Sequence, residues 1–162
     1  MSARLVELKA FIEFLEDKCD FAFNINSFYH RIKLQKCVYI AKILGWDCPH
    51  YSYNIYMRGP YSPDLTSDYY AIANQPLVLN NYESHLPKFD IDKFVQTIGG
   101  KDIEWLEVAT TLLSVYKNNK HRIRRNELIA FALERTKEIK ANYGDSFITQ
   151  VLSDLLRYDL LT

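Results

Sequence analysis

Leu5, Leu8, Ile12 and Leu15 recur at three- and four-residue steps, with Glu7, Lys9, Glu13 and Glu16 between them, and this spacing predicts a half-buried helix over residues 3–18. Ser27 is placed to cap the next segment. There Ile32, Leu34, Cys37, Val38, Ile40, Ala41, Ile43 and Leu44 leave little polar surface before Gly45 ends the run. A helix apolar around most of its circumference belongs at the centre of a fold. Tyr51, Tyr53, Ile55 and Met57 then alternate with Ser52, Asn54, Tyr56 and Arg58, the period of a strand with one buried face, which Gly59-Pro60 stops. Ser62-Pro63-Asp64 reads as a helix start: a capping hydroxyl, a proline where its missing N–H costs nothing, and a carboxylate in the first turn. That helix carries Leu65, Tyr69, Ile72 and Ala73 and ends before Pro76, and the apolar run within residues 77–89 predicts a second strand pairing with the first.

From Asp90 onward the periodicity is helical. Asp90 caps a short helix closed by Gly99-Gly100, and Asp102 caps a longer one carrying Trp105, Leu106, Val108, Ala109, Leu112, Leu113 and Tyr116. The polar passage from Tyr116 to Asn126 predicts a loop. A helix follows from near Asn126 through Ile139, and Asp145 caps the last one, with Ile148, Val151, Leu152 and Leu155 opposite Thr149, Gln150, Ser153, Asp154 and Arg157. The expected fold is mainly α: about seven helices around the central apolar helix, a minor two-stranded β element, and a C-terminal pair resembling a helix-turn-helix. No internal repeat divides the chain, so residues 1–162 are expected to form one domain.

Twenty Lys plus Arg balance twenty Asp plus Glu, which removes any whole-chain electrostatic case for nucleic acid or anionic membrane as the partner. Any basic site must be local. Met1-Ser2-Ala3-Arg4 leads straight into an amphipathic segment and no apolar stretch reaches spanning length, so a cytoplasmic protein without membrane attachment is expected. Cys19, Cys37 and Cys48 are odd in number and widely spaced, unlike a disulfide framework. Cys37, Cys48 and His50 lack the second ligand pair of a structural zinc site, so no metal and no cofactor is expected.

Two segments carry the most distinctive residues: Lys33 to Trp46, "KLQKCVYIAKILGW", and Tyr53 to Tyr70, "YNIYMRGPYSPDLTSDYY". Together they resemble the YwgA-like family of prokaryotic proteins, through Lys33, Leu34, Gln35, Lys36, Gly59, Pro60, Tyr61, Ser62, Pro63, Asp64 and Leu65. More distantly they are similar to the Panacea antitoxin domain, although Arg58 stands where an aromatic residue is more usual. The YwgA-like resemblance brings no activity with it. The Panacea resemblance implies an antitoxin-like role in binding toxins, which is interaction rather than catalysis.

Three functions compete for these residues. A non-enzymatic protein-interaction module would dock through Lys33, Lys36, Tyr56, Arg58, Tyr61, Asp64, Asp68, Tyr69 and Tyr70, aromatic and charged groups of the kind that make binding hot spots. A nucleic-acid-binding regulator would use Lys117, Lys120, Arg122, Arg124 and Arg125, five cations in nine residues without an acid. An enzyme would draw on Arg58, Asp64 and Asp68, yet no nucleophile, base and orienting group stand at a recognisable spacing. The expectation is a protein partner, with nucleic acid as the alternative and self-association left open.

Overall fold

The structure, a computed structural model, describes residues 2–56, 59–75 and 77–162, with the backbone alone described at Tyr56. Four of the expected caps form. Ser27 accepts from the His30 N–H at 3.2 Å, Ser62 from Leu65 at 3.4 Å, Asp90 from Lys93 at 3.1 Å and Asp102 from Trp105 at 2.9 Å. They open α2 (Phe28–Ile43), α3 (Pro63–Asn74), α4 (Ile91–Ile98) and α5 (Ile103–Asn119), each satisfying an N–H that the first turn would leave without a partner. α1 (Ala3–Cys19), α6 (Arg125–Ile139) and α7 (Asp145–Arg157) complete seven α-helices among the described residues.

Two boundaries differ from expectation. Asp145 is the first residue of α7 rather than its cap, because extended Gly144 takes the cap position, and the Asp145 carboxylate serves the helix dipole instead. The loop expected from Tyr116 shrinks to residues 120–124, since α5 continues past buried Tyr116 to Asn119, whose side-chain N–H bonds the Val115 carbonyl at 2.7 Å.

The strand pairing is a correction. β1 (Asn54–Tyr56) pairs antiparallel with β2 (Gly59–Tyr61), not with any part of residues 77–89, and the register sets Asn54 against Tyr61, Ile55 against Pro60 and Tyr56 against Gly59. Gly59-Pro60 therefore builds a strand instead of stopping one. Proline is tolerated because a two-stranded sheet has edges on both sides, where a missing N–H removes no obligatory bond. Residues 77–81 form no strand, and a short 3-10 helix spans Tyr82–His85, opened by the Asn81 side chain accepting from the Glu83 N–H at 3.2 Å. Local bonds of this kind compete with a ladder.

α2 shares the centre of the molecule with α5. Leu34–Ala41 of α2 are all buried, and so are all twelve residues Trp105–Tyr116 of α5, which packs against α2, β2, α6 and α7. Buried Thr110 and Thr111 are satisfied inside α5 itself, donating to the Leu106 and Glu107 carbonyls at 2.7 and 2.8 Å. Phe11, Phe14, Trp46, Phe89 and Phe94 make a second focus of packing, with Phe11 5.0 Å from Trp46 and 5.6 Å from Phe94 between ring centroids. No helix among the described residues is long and apolar enough to cross a membrane.

Candidate functional site

The two distinctive segments are in contact, and the contact explains both. Gln35 turns its side-chain amide onto Ser62, accepting from the Ser62 N–H at 2.9 Å and donating to the Ser62 carbonyl at 3.0 Å, as a neighbouring strand would. The same Nε2 donates to Thr66 Oγ1 at 3.0 Å. Lys36 Nζ donates to the Pro60 carbonyl at 2.8 Å. Gly59 passes directly over this group at φ +94°, where a Cβ would lie 3.2 Å from Lys36 Nζ and 3.0 Å from Thr111 Oγ1. Gly59, Pro60 and Ser62 are buried, so their backbone polar groups need partners, and α2 supplies them to the Pro60 carbonyl and to both polar groups of Ser62.

Several residues expected at a docking surface are consequently inside. Lys36 is 1% exposed, buried by its bond to β2. Asp68 is buried because it receives Arg4 Nε and Nη2 at 2.9 and 3.1 Å and the Tyr51 hydroxyl at 2.7 Å, an arrangement that ties α3 to α1. Tyr69 is buried among its neighbours, and Tyr61 is half-buried with its hydroxyl on Thr66. Lys33 lies over the Phe21 ring at 4.7 Å. Asp64 and Tyr70 are exposed. Arg58 and the side chain of Tyr56 lie outside the described residues.

What the structure brings together is a different surface. Ring contacts run from Tyr70 to Tyr69 at 5.4 Å, from Tyr69 to Phe23 at 5.7 Å, from Phe23 to Phe21 at 6.4 Å and from Phe21 to His30 at 5.0 Å. The loop supplying Phe21 and Phe23 is pinned to α2 by the Asn24 N–H bonding His30 Nδ1 at 3.0 Å and by Arg31 donating to the Ile25 carbonyl at 2.6 Å. Beside the strip lies a cleft of 320 Å³ lined by Ile12, Phe23, Ile25, Tyr69 and Ile72, with Lys9 at its margin. Tyr70 is 42% exposed at one end, and Phe28 and Tyr29 are 48% and 59% exposed at the start of α2. Sequence reading missed Phe21, Phe23, Phe28 and Tyr29; the aromatic spacing within residues 21–29 was the available signal.

The basic passage is divided by the fold. Lys117 is half-buried in the last turns of α5, and burial, aided by Lys120, holds its ammonium pKa below the ordinary lysine value. Lys120, Arg122, Arg124 and Arg125 are exposed, with Arg122 over the Phe131 ring at 5.4 Å. Asp154, expected on the outer face of α7, is instead buried, since its carboxylate accepts from Trp105 Nε1 at 2.9 Å. α6 and α5 enclose another polar group: buried Glu107 accepts from the Tyr143 hydroxyl at 3.0 Å and faces buried Lys140 Nζ at 3.6 Å. Cys48 Sγ points at the Trp46 carbonyl and His50 stands edge-on to Tyr51 at 4.3 Å; no group of three His, Cys, Asp or Glu able to hold a metal occurs among the described residues.

Compared with family models, curated proteins and solved structures, the chain matches none.

Proposed function

We propose that this chain is a non-enzymatic protein-interaction module whose docking surface is the aromatic strip from Tyr70 to Tyr29, not the Gly-Pro hairpin itself. The observation that carries this reading is the exposure of Tyr70 at one end of the ring-packed strip and of Phe28 and Tyr29 at the start of α2, next in sequence to His30 at its other end. Aromatic side chains with few rotatable bonds lose little entropy on binding and dominate interface energetics. Lys9, Arg31 and Lys33 stand along the strip, with Asp20 the exposed acid that directly precedes Phe21, so the matching partner offers apolar side chains set among carboxylates. The Panacea resemblance supports the same class of function, with a toxin as the kind of partner.

The test compares partner capture by the native chain, a Phe28→Ser/Tyr29→Ser double variant, Tyr70→Ser, and Val78→Ser as a control at an 83% exposed position outside the strip's residues. Specific capture should be lost, by about tenfold or more in affinity, in the strip variants and kept in the control. Equal recovery with all four proteins overturns the proposal.

A second reading, nucleic-acid binding, is favoured by one observation: Lys120, Arg122, Arg124 and Arg125 share the exposed α5–α6 connection without an ion pair among the described residues. Neutralising the three arginines should flatten the salt dependence of DNA or RNA binding. No binding at low salt ends that reading.

A further inference from the structure

Where α2 meets the C-terminal half of α5, a cleft of 340 Å³ is lined by Tyr39, Lys42, Tyr53, Ser114, Lys117 and Asn118. Its size is at the lower end for small-molecule sites. Two lysines line it and no carboxylate does. Neither lysine has an ion pair among the described residues.

Among the described residues, neutral oxygens alone hold Lys42 in place. Its Nζ donates to the Cys48 carbonyl at 3.1 Å and also to the Tyr51 carbonyl, which leaves its charge uncompensated and one of three N–H groups without an assigned acceptor. Nζ lies 5.9 Å from the Tyr53 ring centroid. The Tyr53 hydroxyl is shut off from solvent and has no hydrogen-bond partner among the described residues, a condition that costs about 1–3 kcal/mol for a buried polar group, so it belongs to the wall of the cleft and not to its donors. Asn118 Nδ2 donates to Ser114 Oγ at a long 3.4 Å, so the Asn118 amide is available for a shorter bond, while the Ser114 hydroxyl also engages Tyr39.

We propose that this cleft binds a terminal phosphate, that of a small phosphomonoester or of a nucleic-acid end, with Lys42 and Lys117 neutralising the two charges and the Asn118 amide donating to a phosphoryl oxygen. The charge count distinguishes this ligand: two cations match a dianionic monoester, whereas an internal phosphodiester carries a single charge. Two ammonium groups and an amide N–H match an acceptor that presents several oxygens and no protons to give. The half-buried state of Lys117 fits as well, since a ligand anion would restore what burial removes from its charged form.

The experiment is calorimetric titration of the full chain with inorganic phosphate, phenyl phosphate, and an oligonucleotide with and without a 5′-phosphate. Phenyl phosphate or the 5′-phosphorylated strand should bind. Lys117→Met and Asn118→Asp, both at the accessible lip, should weaken binding by about tenfold or more. Tyr53→Phe should leave binding unchanged and the free protein equally or more stable, because it removes a buried hydroxyl that has no partner among the described residues. The proposal is overturned if no phosphate probe binds, if Lys117→Met and Asn118→Asp bind as well as the native chain, or if phenyl phosphate fails to bind and the oligonucleotide binds equally with and without its terminal phosphate.

Discussion

A single carbon added at Gly59 meets two obstacles at once. Its φ of +94° lies where L side chains are rarely found, and the new Cβ would press on Lys36 Nζ and on Thr111 Oγ1. Thr111 cannot retreat, because its hydroxyl is engaged with the Glu107 carbonyl at 2.8 Å within the buried stretch of α5. Gly59→Ala should therefore cost about 2–3 kcal/mol in denaturant unfolding. Gly144→Ser is the matched control. A Cβ at Gly144 would meet nothing within 4 Å, and the residue precedes α7, where a serine would add the missing cap, so that change should be neutral or slightly stabilising. Comparable losses from both substitutions would show that the close approach at Gly59 has no energetic weight.

α2 and the β1–β2 hairpin are joined by side chains acting as backbone. Gln35 satisfies both the N–H and the C=O of Ser62, a residue with no solvent exposure, and so fixes where β2 ends and α3 begins. Gln35→Leu keeps the volume but leaves both groups without that partner, which should cost about 2–4 kcal/mol and raise amide exchange at Ser62 and through the first turn of α3. A loss under about 1 kcal/mol with unchanged exchange would mean another group takes over. Helix starts were readable beforehand because Ser27, Ser62, Asp90 and Asp102 act within three residues of themselves. The strand partner was not, since pairing depends on whether Gly59-Pro60 ends a strand or forms one, and Lys36 decides that from 24 residues away. Polarity misled at Lys36, Asp68 and Asp154 for the same reason: each is buried by a partner that the fold delivers, Pro60, Arg4 with Tyr51, and Trp105. The aromatic strip draws on residues 21–30 and 69–70, and no local pattern announces that the loop before α2 lies on α3.

Across the whole molecule, weak acids buried in neutral form set the response to alkali. Burial pushes the Cys37 thiol up to about 12 from the ordinary 9.0, the Cys48 thiol to about 11, and the Tyr39 hydroxyl to about 12 from 10.0. Tyr51 and Tyr53 move in the same direction for the same first cause. A folded-state pKa above the unfolded one means that the contribution of these groups to stability is complete below about pH 9. Above it, unfolded thiols release protons that the native state retains, and stability falls as pH rises toward about 12. Lys117 works against this, since its lowered folded pKa makes folding easier as the pH approaches 10.5, but it is one group against several. By about pH 10 the fully buried Cys37 alone should account for about 1 kcal/mol of the loss relative to neutral pH. Denaturant unfolding at about pH 7, 8, 9 and 10 should show a plateau and then a decline, and Cys37→Ala, although less stable throughout, should decline less steeply. A native chain as stable at the alkaline end of that series as at the neutral end, or a Cys37→Ala variant with the same slope, would show that buried thiols do not control the alkaline limit.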